Sequence, residues 1–339
     1  MPVTTSQPYA VTYRNAEELP ESVWKALHAD ACASNIVLPI AQKQLARKDA
    51  FLRDQVYIAA FSLGAVDLIL SATDGDNGKY PIFIYTPPHP QSRNATWLAP
   101  RLELLAHALY AAVSTRRVYS VFAPDIVAST FVRIWTRMTG IHPEPTPYYH
   151  AMISYCTRQS LVNPQRQLTL LPGFVLDIRP AAERDLDAVA QLCHEFAADS
   201  EPFVLTPARA RAEAQGLIRQ RQVWVHTMRR TDEPYEREEV ACICAFTRNS
   251  ESVAAITKVY TPKEWRRRGC AERLVRRVVK HLLATKASVA LYVGHDNPAR
   301  WVYHKVGFLG LAHDEASYEG VESWIEIGLD RSKVDLGHW

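Results

Sequence analysis

The residues with the clearest chemical potential lie between positions 254 and 283, AAITKVYTPKEWRRRGCAERLVRRVVKHLL. A β-rich run over 256–260 stops at Thr261-Pro262, because proline cannot donate to a sheet ladder. A basic turn follows, Arg266-Arg267-Arg268-Gly269-Cys270-Ala271. Then Ala271, Leu274, Val275, Val278, Val279, Leu282 and Leu283 recur at three-and-four spacing, which predicts an amphipathic helix with one buried stripe. Arg273, Arg276, Arg277 and Lys280 fall on the opposite side of that helix and are expected in solvent.

A strand, a glycine turn and a helix start together make an anion site. The first helical N–H groups have no acceptor inside the helix and carry the positive end of its dipole. Gly269 lets a bulky anion approach the backbone, and Ala271 keeps the next turn slim. A diphosphate fits such a cradle, and the flanking arginines offer charge-assisted hydrogen bonds to it. The plain alternative, a solvated basic turn, explains the arginines but not the strand and helix that bracket them.

The elements around the turn recur. AVTYRNAEELPESVWKALHAD parallels FVLDIRPAAERDLDAVAQLCHEF, and NIVLPIAQKQLAR parallels PFVLTPARARAEA. Val37 and Val204, Gln55 and Gln222, and Gly140 and Gly307 all lie 167 positions apart. A duplication follows. Each half reads as a strand, two helices, a strand meander, a long helix, a strand, a short helix and a last strand. That alternation predicts an α/β (α+β) class with helices flanking a mixed sheet. The polar segment 158–172 is the expected linker, giving domains 1–165 and 166–339. In the first half, Thr86-Pro87-Pro88 leads into HPQSRNATW with no glycine before the helix, so this half is read as a degenerate copy without the anion signature.

The chain of 339 residues carries a formal net charge of only +3, which gives no reason to expect nucleic acid or an anionic membrane as partner. Its opening, MPVTTSQPYAV, has neither a basic nor an apolar signal region, so no secretory signal is expected. Six scattered cysteines lack disulfide or zinc spacing, the histidines lack metal-ligand spacing, and a reducing, cytoplasmic setting is expected. Cys242 and Cys244 fall on one face of a strand, as small buried groups.

Residues 266–271 match the R/Q-x-x-G-x-G/A acyl-CoA signature of the GNAT acyltransferase superfamily, and VYTPKEWRRRGCA resembles the V-Y-T-P-P-E-x-R-G-x-G-Y-A form of one branch. ALYVGHDNPARWVYHKVGF is similar to the next motif, with Asn297, Tyr303, Gly307 and Phe308 at matching positions. The resemblance spans roughly 174–330. Two departures stand out: Arg267 replaces the branch's first glycine, and Cys270 replaces its tyrosine. The implied architecture is two tandem GNAT-like domains, each with a mixed, mostly antiparallel sheet flanked by helices.

The resemblance implies an N-acyltransferase, with acetyl-CoA as co-substrate and no metal. Backbone groups of Val259, Tyr260 and Thr261 would pair with the pantetheine arm in a V-shaped split between strands. Residues 266–271 would hold the diphosphate, with Asn297 and Tyr303 nearby. A backbone amide near Val259 would stabilise the oxyanion, and Tyr303 would protonate the leaving thiolate. The base is open among Glu195, Asp199, Glu201 and Glu251, with Glu195 or Glu201 favoured. Trp324 is expected to line the acceptor pocket. The acceptor is expected to be a small or amino-acid-like amine. The alternatives are a protein lysine or N-terminal amine, or acyl-CoA binding without turnover.

Overall fold

The computed structural model describes residues 7–46, 55–75, 78–91, 94–162, 171–232, 238–312 and 317–338. The chain forms two compact units, one of residues 1–151 with 322–339 and one of residues 152–321.

The first unit runs β1 (Tyr9–Tyr13), α1 (Glu21–Ala29), α2 (Leu38–Ala46), β2 (Val56–Ser62), β3 (Ala65–Ala72), a small hairpin of β4 (Asp74–Gly75) and β5 (Gly78–Lys79), β6 (Ile82–Tyr85), α3 (Ala95–Ala112), β7 (Ser120–Pro124) and α4 (Asp125–Thr139). Strand β8 (Tyr149–Thr157) starts in this unit and passes into the second at Met152. The second unit continues with β9 (Phe174–Pro180), α5 (Leu186–Ala198), α6 (Pro207–Arg219), β10 (Val223–Arg230), β11 (Glu239–Asn249), β12 (Val253–Tyr260), α7 (Cys270–Leu282), β13 (Ser288–Gly294) and α8 (Ala299–Val306). The last strand, β14 (Ser323–Gly328), belongs to the first unit.

Both halves of the chain repeat the expected order of elements. The strand order is β1-β2-β3-β6-β7-β14 in the first unit and β8-β13-β12-β11-β10-β9 in the second. Each sheet is mostly antiparallel, with one parallel pair at its middle: β6 with β7, and β12 with β13. A parallel pair needs a crossover helix, which α3 and α7 supply. Gly140 and Gly307, one of the pairs that suggested the duplication, end α4 and α8 in the left-handed conformation at φ of 70° and 117°. An alanine at Gly307 would drive its Cβ into the Ser160 carbonyl.

The units do not follow the contiguous division at 165. The end of each half is exchanged: 152–162 packs in the second unit, while β14 pairs antiparallel with β7 of the first. Hydrophobic patterning marks strands but leaves their sheet open, since any apolar strand can complete either edge. Residue 165 itself, and most of the expected linker, lies outside the described residues.

The predicted stripe on α7 is buried at Leu274, Val275, Val278, Val279, Leu282 and Leu283, with Ala271 packed at its edge. Each large apolar side chain of that stripe contributes about 1.5–3 kcal/mol. The expectation of solvent for Arg273 and Arg276 is wrong: each is only 8% exposed. Arg276 is held by carbonyl acceptors at Val162 and Lys305 and by Glu272 at 2.8 Å. It thereby fastens α7 to the end of α8. Helical spacing cannot see such acceptors, because they come from segments remote in sequence.

Candidate active site

The site begins with a bend in β12. Opposite β11 the register slips twice around Phe246, leaving Thr257 as an extra residue on β12 and Thr247 as one on β11. A bulge of this kind bends its strand and ends regular pairing. On the other edge, β12 pairs with β13 only from Val253/Ser288 to Ile256/Leu291. Beyond that the two strands run on, β12 to Tyr260 and β13 to Gly294, without pairing. The backbone of Val259 and Tyr260 is therefore bonded to β11 on one side and open on the other, a slot for an extended polar chain.

The turn after β12 closes the wide end of that slot. Arg267 and Gly269 both adopt left-handed φ, 61° and 71°. A non-glycine residue held this way costs about 1–2 kcal/mol, and such strain collects at functional sites. Helix α7 starts directly after Gly269 with no side-chain cap. Its first helical bond beyond the turn runs from the Arg273 N–H to the Gly269 carbonyl at 3.1 Å. The amides of Cys270, Ala271 and Glu272 precede it and have no acceptor one turn back. Successive amides in alternating hand make an anion nest.

Two of the arginine side chains, those of Arg266 and Arg268, are anchored rather than trailing. Arg266 donates from Nε to the Thr261 carbonyl at 2.9 Å and lies 5.8 Å from the Tyr260 ring centre. Arg268 lies over Trp265 at 5.0 Å and Phe174 at 5.6 Å. Cys270 is buried, and that burial pushes its thiol pKa up, so this replacement for the usual tyrosine acts as a small apolar group.

Two of the carboxylates meet the end of β12. Tyr260 has a raised pKa, first because it is partly desolvated and then because the negative charges of Glu195 and Asp199 face it. Phe196 packs edge-on against the same ring at 6.4 Å. Glu195 also accepts from Gln191 at 2.8 Å. Glu201 is exposed in the α5–α6 loop.

Glu251 and Trp324 do not belong to the site. Glu251 lies in the β11–β12 turn, at the far end of a strand of eight residues from Tyr260. At about 3.3 Å per residue that distance is roughly 25 Å. Trp324 is fully buried in the first unit, 5.2 Å from Phe122, so it has no face to offer a substrate. Both expectations read proximity to a strand end from sequence, where only the sheet assignment decides it.

Tyr303 is buried on α8 in the same apolar cluster as Val259 and Cys270, with Phe308 edge-on at 5.9 Å. Asn297 lies just before Pro298, the N-cap of α8; its side chain accepts from the Ala299 N–H at 2.9 Å, and it is exposed. Steadying the turn that leads into α8 is thus its visible role.

Sequence reasoning missed two buried polar pairs. Lys258, two residues before Tyr260 and on the same face, donates to Glu213 at 2.6 Å and lies 5.0 Å from the Phe196 ring centre. Arg273 meets His226 of β10, Nε to Nε2, at 3.2 Å. For Arg273 the available signal was its position one turn after Gly269.

The family model of FR47-like protein matches residues 235–316, which hold the slot, the turn and α8. No curated protein matches the chain. Among solved structures, a tandem GNAT protein from the clavulanic acid biosynthesis pathway is similar at 16% identity and TM-score 0.53, covering 95% of this chain and 98% of that one. A GCN5-related N-acetyltransferase from Sphaerobacter thermophilus is similar at 15% identity and TM-score 0.50, covering 94% of each chain. The chain therefore has the tandem GNAT fold. Its FR47-like segment lies wholly in the second half.

Proposed function

We propose that this chain is an acyl-CoA-dependent N-acyltransferase, with acetyl-CoA as donor and one working site, in the second unit. What carries the reading is the open edge of β12 leading to the uncapped start of α7. That pair of features suits a donor with an amide-bearing arm and a diphosphate. The acceptor is a primary amine of a small or amino-acid-like molecule. Six free cysteines support action in the cytoplasm. Among the described residues no helix is long and apolar enough to cross a membrane.

In this reading Val259, Tyr260 and Thr261 pair through their backbone with the pantetheine arm. Amides of residues 267–271 hold the diphosphate, with Arg266 beside them. Glu195 takes the proton of the incoming ammonium, and Asp199 adds negative charge that favours a cationic acceptor. The amine nitrogen bonds to the thioester carbonyl carbon, the backbone near Val259 stabilises the oxyanion, and the C–S bond breaks. Tyr303 gives its proton to the departing thiolate, and its phenolate takes back the second proton of the attacking nitrogen, leaving a neutral amide. A phenol near pKa 10 is matched to a thiol leaving group, and such acid help is worth about 10² to 10⁴ in rate.

The test is calorimetric titration with CoA, followed by thiol release from acetyl-CoA across a panel of small amines and lysine peptides. One equivalent bound and release with a small amine are expected. Binding without release for any acceptor points to a sensor, and release with peptides alone moves the acceptor to protein.

A further inference from the structure

Behind the diphosphate turn lies a buried polar contact that the mechanism leaves unused. Arg273 is nearly buried and His226 fully so. Arg273 donates from Nε to His226 Nε2 at 3.2 Å and from Nη2 to the Arg268 carbonyl. Its Nη1 lies 3.0 Å from the point a Cβ on Gly269 would occupy. One guanidinium thus bonds β10 and the carbonyl before Gly269, and fills the space that a side chain at Gly269 would need.

The peptide between Arg268 and Gly269 is trans. In a trans peptide the carbonyl and the N–H point in opposite directions. Holding the Arg268 carbonyl inward on Arg273 therefore turns the Gly269 N–H outward, to the side where the turn is open. A guanidinium suits this task because its donors lie in a rigid plane, so a bond to His226 fixes the direction of the bond to Arg268. His226 can accept only as the neutral ring with its proton on Nδ1.

We propose that Arg273 and His226 are positioning residues for the acyl donor, acting through the Arg268–Gly269 peptide to aim an amide at its diphosphate. The proposal rests on the acyltransferase reading of this turn. It concerns affinity for the nucleotide end of the donor alone, and the reacting end lies outside its reach.

Calorimetry with CoA and with S-acetylpantetheine, which lacks the diphosphate, tests it on three full-length variants: His226→Phe, His226→Gln and Arg273→Lys. Loss of one aimed hydrogen bond is expected to weaken CoA about tenfold in His226→Phe and Arg273→Lys. S-acetylpantetheine should bind all variants as it binds the unaltered chain. His226→Gln, whose amide oxygen replaces Nε2 as acceptor, should restore CoA binding to within about twofold of the unaltered chain, because the acceptor for Arg273 is retained. Equal weakening of both ligands, or no recovery in His226→Gln, would overturn the positioning role in favour of simple packing. Unchanged CoA affinity in His226→Phe would overturn this proposal while leaving the acyltransferase reading intact. Failure of the unaltered chain to bind CoA would remove both.

Discussion

Helices α3 and α7 hold equivalent places in the two units, each after a strand followed by Thr-Pro, yet their first turns are built oppositely. The start of α7 is bare: Gly269 precedes it in the left-handed conformation, and no side chain takes its first amides. The start of α3 is closed. Asn94 caps it, accepting from the Thr96 N–H at 2.9 Å. Pro87, Pro88 and Pro90 before it have no N–H to offer an anion. His89 stacks on Trp97 at 4.7 Å, and Arg101 covers Trp97 at 4.0 Å while bonding Asp67 at 2.8 Å. One fold thus keeps the same helix with its first turn either open or closed, and a few residues there make the difference.

The largest effect is expected from Gly269→Glu. A side chain at this left-handed position strains the backbone, meets Arg273 and puts a negative charge where an anion belongs. CoA affinity should fall by about a thousandfold in calorimetry, with stoichiometry going from one to none. A site that persists in this variant would mean that the first unit also binds.

Tyr303→Phe comes next. Turnover should drop about a hundredfold, the lower end for general acid help, while CoA affinity stays within about twofold. An unchanged rate would assign Tyr303 to packing against Phe308.

The third concerns pH. Burial, and then the charge of Arg273, lower the His226 pKa from its ordinary 6.5 to about 4, against the opposing pull of Asp177 on β9. On acidification the unfolded chain takes up this proton before the folded one does. Stability should therefore fall as pH drops from about 6.5 towards 4, by up to about 3 kcal/mol in urea titrations of the second-unit transition. His226→Gln should flatten that slope, and an unaltered slope would show that other groups set it.

The smallest effects have opposite signs in the two turns. Arg267→Gly should stabilise the protein by about 1 kcal/mol, because the left-handed strain is relieved. Asn94→Ala should destabilise it by about 1 kcal/mol through the lost cap, with CoA binding unchanged. Thermal unfolding followed by circular dichroism reads both. A gain in CoA stoichiometry on uncapping α3 would show that the cap alone keeps the first unit silent.

The turn at 266–271, the helix after it and the duplicated order of elements were legible from sequence because their causes are local. A glycine at positive φ, unpaired first-turn amides and a three-and-four stripe are properties of neighbouring residues. Glu195 and Asp199 were legible in type, but their convergence on Tyr260 depends on how α5 packs over β12. Tertiary structure alone decided that β14 joins the first unit, that Trp324 is core and that Glu251 is at the wrong end of its strand. It also decided that Arg273 turns inward to His226, which lies 47 positions away in the chain. Such contacts escape periodicity because a charged side chain is buried only where remote backbone and ring acceptors meet it, and those acceptors come together only when the sheet closes around the helix.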